Sequence, residues 1–206
     1  MRQTFCIFAK TNSMNVVKRI SESIELKSRI MDDEDMIIKI EKSASQCVSA
    51  LTSGCKLYFC GNGGSAADAQ HLSAELSGRY YKDRAPLPAE ALHVNTSYLT
   101  AVANDYGYDE IYSRMLSGMG KSGDVLIAIS TSGNSRNIVK AIEVAHSKGM
   151  FVIGMTGRDG GAMRELCDIL LNVPSDDTPR IQESHIMIGH IICEIIETEI
   201  FGDGKS

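Results

Sequence analysis

Lys56 to Arg79 reads KLYFCGNGGSAADAQHLSAELSGR, and the fold follows from it. A short apolar run, Leu57 to Cys60, enters a turn made of Gly61, Asn62, Gly63, Gly64 and Ser65, and a helical pattern leaves it. That order of strand, glycine-rich turn and helix start aims backbone N–H groups and the positive end of a helix dipole at one point, where a phosphate is the usual occupant. Two turns into the helix come His71 and Glu75, four apart and therefore on one face.

A second stretch repeats the logic. Asp124 to Ile129 (DVLIAI) is a buried-strand pattern followed by Ser130, Thr131, Ser132, Gly133, Asn134 and Ser135, then a helix from Asn137 to Lys148. Further strands are expected at Ala89 to Val94, Met150 to Met155 and Ile169 to Val173. Helices are expected at Thr96 to Ala103, Asp159 to Glu165 and Ile181 to Phe201, with Pro174 to Pro179 as a loop. Val102 to Gly107 breaks the pattern with Asn104, Asp105 and a glycine, and reads as a loop that places side chains in a site. Strands alternating with helices imply a parallel, three-layer α/β sheet with sites at the C-terminal strand ends.

Upstream, apolar residues recur at helical spacing from Met14 to about Ser53, interrupted at Asp32 to Asp35. Two helices fit, the second capped by Asp32 or Asp33 and ended by Gly54. They pack beside the domain or form a subunit interface, and we read the interface. Residues 1–13 read as a flexible leader or an over-long start, and 14–206 as one domain.

The whole chain bounds the answer. With 206 residues, 43% of them hydrophobic, one well-buried core is expected. A formal net charge of -5 argues against a general nucleic-acid or membrane-surface role and favours a small-molecule partner. The six cysteines form no C-x-x-C pair and several lie in apolar runs, which suits free thiols in a reducing cytoplasm. No apolar stretch reaches the roughly 18 residues of a membrane span.

The first turn also reads as G-x-G-x-x-A, a dinucleotide fingerprint. That fold needs a carboxylate at the end of the next strand, and His93-Val94-Asn95 has none. A Walker loop is excluded because G-K-[ST] is missing. The second turn, with hydroxyls at Ser130, Thr131, Ser132 and Ser135 and no cation inside it, suits the phosphate monoester of a sugar; the bland alternative for such hydroxyls is helix capping. His71 and Glu75 fit a metal half-site, an acid/base pair or a surface ion pair. His190 lies in an apolar run with Gln182 eight residues before it. Such a histidine is usually a satisfied core residue, and its polar partner is expected to be His71 or Glu75.

CGNGGSAADAQHLSAEL, AVANDYGYDEI, ISTSGNS and TPRIQESHIMIGHIICEIIE, in that order, resemble the phosphoheptose isomerase family of the sugar-isomerase (SIS) domain class, over about Met14 to Phe201. The resemblance implies a five-stranded parallel sheet between helices, a homotetramer with shared sites, and conversion of sedoheptulose 7-phosphate to D-glycero-D-manno-heptose 7-phosphate. It implies that Asn62, Gly63, Gly64, Ser65, Glu75, Arg79, Asn104, Asp105, Ser130, Thr131, Ser132, Ser135 and Gln182 meet the substrate. Glu75 and His190 would be the acid/base pair, acting through an enediol, and His71, Glu75, Gln182 and His190 zinc ligands, one ion per subunit or site. Where some members carry an aspartate this chain has Pro179, with Thr178 and Asp177 as the nearest polar substitutes. The same class includes a non-catalytic module that binds the replication initiator; it lacks counterparts of Glu75 and His190, and this chain has both.

Overall fold

The computed structural model describes residues 7–202, with side chains from residue 15 onward. Five strands, β1 (Leu57–Gly61), β2 (Ala89–Ala91), β3 (Val125–Ile129), β4 (Phe151–Thr156) and β5 (Ile169–Asn172), form one parallel sheet in the order β2-β1-β3-β4-β5. β1 and β3 are buried along their full length, which explains their unbroken apolar composition. Alternate residues feed two cores. Leu57, Phe59, Val125, Ile127 and Ile129 pack on one side of the sheet, and Tyr58, Cys60, Leu126 and Ala128 on the other. Each such aliphatic side chain stabilises the fold by about 1.5–3 kcal/mol when buried.

The first face is covered by α2 (Glu34–Thr52), α3 (Gly64–Ser77) and α7 (Thr178–Phe201), with α1 (Ile7–Met31) outside them. The second face is covered by α4 (Thr96–Tyr106), α5 (Ile111–Met119) and α6 (Arg136–Ser147). The three-layer α/β reading therefore holds. Asp33 caps α2, accepting the Met36 N–H at 3.1 Å. Of the expected leader, residues 1–6 lie outside the described residues, and 7–13 continue α1.

Several boundaries differ from expectation. α4 does not stop at Ala103: it runs to Tyr106, so Asn104 and Asp105 occupy the last turn of a helix and not a loop. Asn95 starts that helix by accepting the Tyr98 N–H at 3.0 Å, and its polar face turns outward. β2 ends at Ala91, three residues short of Val94. α7 begins three residues early, at Thr178, because Pro179 suits the first helical turn. The segment Asp159 to Glu165 is reduced to a 3₁₀ turn, Gly161–Glu165, and α5 was not anticipated.

β1 and β3 are neighbours paired through Gly61 and Ile129, so the glycine turn and the hydroxyl turn leave the sheet side by side where the strand order reverses. Ligands of open parallel sheets bind at this position.

Candidate functional site

The two turns are tied into one unit by an amide pair that the sequence did not reveal. Asn62 Nδ2 donates to Asn137 Oδ1, and Asn137 Nδ2 donates back to Asn62 Oδ1, both at 2.9 Å. The Tyr108 hydroxyl also donates to Asn62 Oδ1, at 3.1 Å, from the segment that follows α4. Gly63 caps α3 at φ +56°, where a side chain would be strained, and as a glycine it contributes no side-chain capping bond to that helix. Ser65 is buried in the first turn of α3.

In the second turn the Ser130 and Ser135 hydroxyls lie 3.1 Å apart, and Ser130 is buried. Ser135 stands at the N-cap of α6 without a side-chain capping bond, so capping does not account for its hydroxyl. Ser132 braces the turn itself, its hydroxyl accepting the Asn134 N–H at 3.2 Å. Gly133, at φ +66°, lies so close to the Gly160 carbonyl that a Cβ there would come within 2.0 Å of it. Thr131 and Ser132 open onto a cleft that Arg158, Asp176 and Thr178 also line. Of the two substitutes for the family aspartate, Thr178 faces this cleft, whereas Asp177 lines a different groove beside Arg19 and Arg180. Arg158, which the sequence reading passed over, is paired with Asp176 at 3.1 Å. Asn104 donates to Asp105 at 2.9 Å, and both are exposed.

The expected acid/base and metal residues gather elsewhere. His71 Nε2 lies 2.9 Å from Glu75 Oε1 and 3.2 Å from His190 Nε2, so His190 does find its partner in His71. The three ligand atoms all fall within 4.8 Å of one another. Two imidazole nitrogens and a carboxylate oxygen converging on one point are a donor set that suits zinc with a position left open. The donors present therefore fit the ion. Tyr80 covers His190, ring centroids 6.0 Å apart. One turn before His71, Asp68 keeps a buried oxygen with no partner, and burial pushes its carboxyl up against the opposing pull of His71.

Gln182 is not brought to that group. α7 lies alongside α3 in the same direction, with Gln182 against Gly64 and Gly189 against Leu72. Gln182 thus meets the glycine turn, and His190, two turns on, meets His71. Gly64 to Glu75 is a rise of about 16 Å at 1.5 Å per residue. The far end of α3 is level with the start of the strands, where the Leu87 N–H meets the Leu76 carbonyl and the Leu57 N–H meets the Pro88 carbonyl. Each chain therefore carries half of the expected site at each end of α3: Asn62, Gly63, Gly64, Ser65, Gln182 and the hydroxyl turn at one, His71, Glu75 and His190 at the other. Exposed Arg79 follows α3 at this second end.

The cysteines behave as apolar filler. Burial pushes the Cys47 thiol up to about 12 and raises those of Cys60 and Cys193 as well. All five described cysteines are free, and no helix among the described residues is long and apolar enough to cross a membrane.

The SIS domain family model matches residues 20–157. The chain is 55% identical over 189 residues to a phosphoheptose isomerase of Sulfurimonas denitrificans, covering 92% of this chain and 97% of that one. It is 50% identical over 186 residues to the phosphoheptose isomerase of Aneurinibacillus thermoaerophilus, covering 90% and 94%. Among solved structures, phosphoheptose isomerase from Neisseria gonorrhoeae superposes with a TM-score of 0.85 at 42% identity, covering 90% of this chain and 98% of that one. The enzyme from Francisella tularensis gives 0.87 at 37%, covering 91% and 98%.

Proposed function

The chain belongs to the phosphoheptose isomerases of the SIS-domain class, and from that membership we propose that it converts sedoheptulose 7-phosphate to D-glycero-D-manno-heptose 7-phosphate, an aldose–ketose isomerisation that supplies heptose for nucleotide activation and surface polysaccharide. The observation that carries this reading is the convergence of Glu75, His71 and His190 from two helices. A non-catalytic binding module has no need of that convergence.

The reaction moves a hydrogen from C1 to C2 and exchanges the carbonyl between them. One Glu75 carboxylate oxygen takes the C1 proton while His190 gives a proton to the C2 oxygen, forming the enediol. His190 then takes the proton from the C1 oxygen as Glu75 returns its own to C2, and both groups end as they began. His71 Nε2, within hydrogen-bonding distance of both, keeps the carboxylate and the second imidazole close together. The hydroxyl turn from Ser130 to Ser135 and the N-terminus of α6 hold the phosphate, which fixes the carbon chain against the base. Asn62 to Ser65, Asn104, Asp105, Arg79 and Gln182 are assigned to the sugar hydroxyls.

Zinc, one ion per site, would be held by His71, Glu75 and His190. When bound, it supplies Lewis-acid polarisation of the substrate oxygens. Gln182, the remaining ligand implied by the family, stands at Gly64 within its own chain, so its contribution to such a site comes from another copy.

The dimensions argue for a site shared between subunits. From its reacting carbons to phosphorus a heptose 7-phosphate spans about 10 Å at roughly 1.2 Å per bond. The glycine turn, beside which the phosphate turn leaves the sheet, and Glu75 of one chain stand about 16 Å apart along α3. A second copy must bring the halves together, and an apolar face is available for one. Val16, Val17, Ile20 and Ile24 on α1 are all more than half exposed, beside a groove lined by Met31, Ile37 and Ile191. We assign this face to a homotetramer in the cytoplasm.

Incubating the protein with sedoheptulose 7-phosphate and following the aldose product tests the reading. Conversion is expected; binding by folded protein without conversion would favour the binding module.

A further inference from the structure

Arg84 and Glu197 form an ion pair at 3.0 Å, with side chains only 3% and 2% exposed. Burying two charges is costly, and well-packed apolar residues often stabilise a core as well or better, so stability alone explains such a pair poorly. Its contacts suggest what it does instead. The Arg84 guanidinium donates to the backbone carbonyls of Glu75 (2.9 Å), Leu76 (2.7 Å) and Gly78 (3.1 Å). These lie at the end of α3, whose last turn has no basic residue of its own. Arg84 therefore supplies the donors and positive charge that a helix C-terminus lacks.

Glu197 lies seven residues beyond His190, two turns along the same face of α7. Its carboxylate accepts the N–H groups of Tyr80 (3.2 Å), Tyr81 (2.8 Å) and Lys82 (3.1 Å). Burial raises this carboxyl, but those N–H groups and Arg84 outweigh burial and hold it below the usual range. The pair thus fastens three things at one point: the backbone of Glu75, the α7 helix that carries His190, and the strap bearing the Tyr80 ring that covers His190.

We infer that Arg84 and Glu197 are positioning residues, setting the spacing of Glu75 and His71 against His190. The inference rests on the isomerase reading for its kinetic consequence but not for its geometric one. Arginine is required because one planar fork must serve a carboxylate and several carbonyls at once; lysine offers a single point charge.

Four variants test it: Arg84→Met, Arg84→Lys, Glu197→Gln and, as a control for lost stability, Leu116→Ala, a fully buried residue on the opposite face of the sheet. Turnover is normalised to the folded fraction read by circular dichroism. A misplacement of about 1 Å costs roughly 10²-fold, so Arg84→Met should lower kcat about 100-fold with KM within about 3-fold, Arg84→Lys should recover part of that loss, and Leu116→Ala should keep its kcat. Should Arg84→Met fail to fold, Arg84→Lys and Glu197→Gln carry the same comparison. A crystal structure of Arg84→Lys should show the His71 to His190 separation grown by about 0.5 Å, part of the displacement of about 1 Å expected for Arg84→Met. An unchanged separation, or a loss of kcat no greater than that of Leu116→Ala, overturns the inference. A wild-type protein that does not isomerise overturns the functional reading instead, and the crystallographic distance still decides the role of the pair.

Discussion

Two inactive variants should restore activity to each other if the site is shared between chains. The first is Glu75→Gln, which removes the base and leaves the phosphate turn intact. The second is Ser132→Asp, chosen because its carboxylate can still accept the Asn134 N–H that the Ser132 hydroxyl accepts, so the turn keeps its shape. It places a negative charge beside the phosphate, at a cost of about 4 kcal/mol per unit charge at 4 Å and an effective dielectric of 20, or about 10³-fold in affinity. Equal amounts of the two chains, co-expressed with different tags and purified as hybrids, assort at random in a symmetric oligomer. Each site draws its turn from one chain and its Glu75 from another, so about one quarter of sites combine an intact turn with an intact base. Hybrids should therefore show about one quarter of wild-type turnover, measured as aldose formed from sedoheptulose 7-phosphate, against almost none for either parent. If all these groups served the same substrate within one chain, every site would retain a lesion. Hybrid activity no greater than the mean of the parents would refute the spacing argument built on the length of α3.

The other expectations concern single groups. Glu75→Gln, with unchanged folding, should lower kcat by about 10²–10⁴-fold, as should His190→Ala, and near-native turnover in either would remove its assignment. Dialysis against a chelator should strip about one zinc per chain from the wild type, and His71→Ala should hold none, as measured by elemental analysis; a wild type that never carries zinc withdraws the metal. His185 is buried, donates through Nε2 to the Thr156 carbonyl at 3.1 Å and leaves Nδ1 without a partner. Burial therefore lowers its pKa from 6.5 to about 4. Between those values the unfolded chain binds a proton that the native chain refuses, so stability is lost as pH falls. The loss is about 1.8 kcal/mol from pH 7 to pH 5, and about 3.4 kcal/mol in full. Urea unfolding at the two pH values reads it directly. His185→Gln, which keeps an N–H donor but does not titrate, should lack this loss; an equal loss in that variant refutes the assignment.

The strands and both turns were legible because a strand buried on two faces leaves an uninterrupted apolar run, and the glycine and hydroxyl clusters end those runs abruptly. Polar composition misled at Asn104 and Asp105, where a solvent-facing last helical turn looks like a loop. α5 was missed although Ile111, Tyr112 and Leu116 are buried at helical spacing, because its nine residues include only a short apolar pattern. His71, Glu75 and His190 were each visible, and the eight-residue gap between Gln182 and His190, a rise of about 12 Å, already sets the two apart; which end of α3 each of them meets was not legible, since it depends on α3 and α7 running in the same direction. Arg84 and Glu197 are 113 residues apart and have no local signature as a pair. One clue was present: Glu197 continues the buried stripe of Gly189 and Cys193, at intervals of four, and a carboxylate on such a stripe requires a cation.

His71 and His190 are separated by 119 residues of chain. At about 5–20 residues per second, a ribosome that has finished α3 needs roughly 6 to 24 s to deliver the residue that completes the His–Glu–His group. Throughout that interval Leu72 and Leu76, which α7 will cover, remain without their covering helix. The nascent chain therefore exposes that apolar surface until α7 arrives, and the same late helix both covers it and completes the His–Glu–His group that a second copy's phosphate turn then serves.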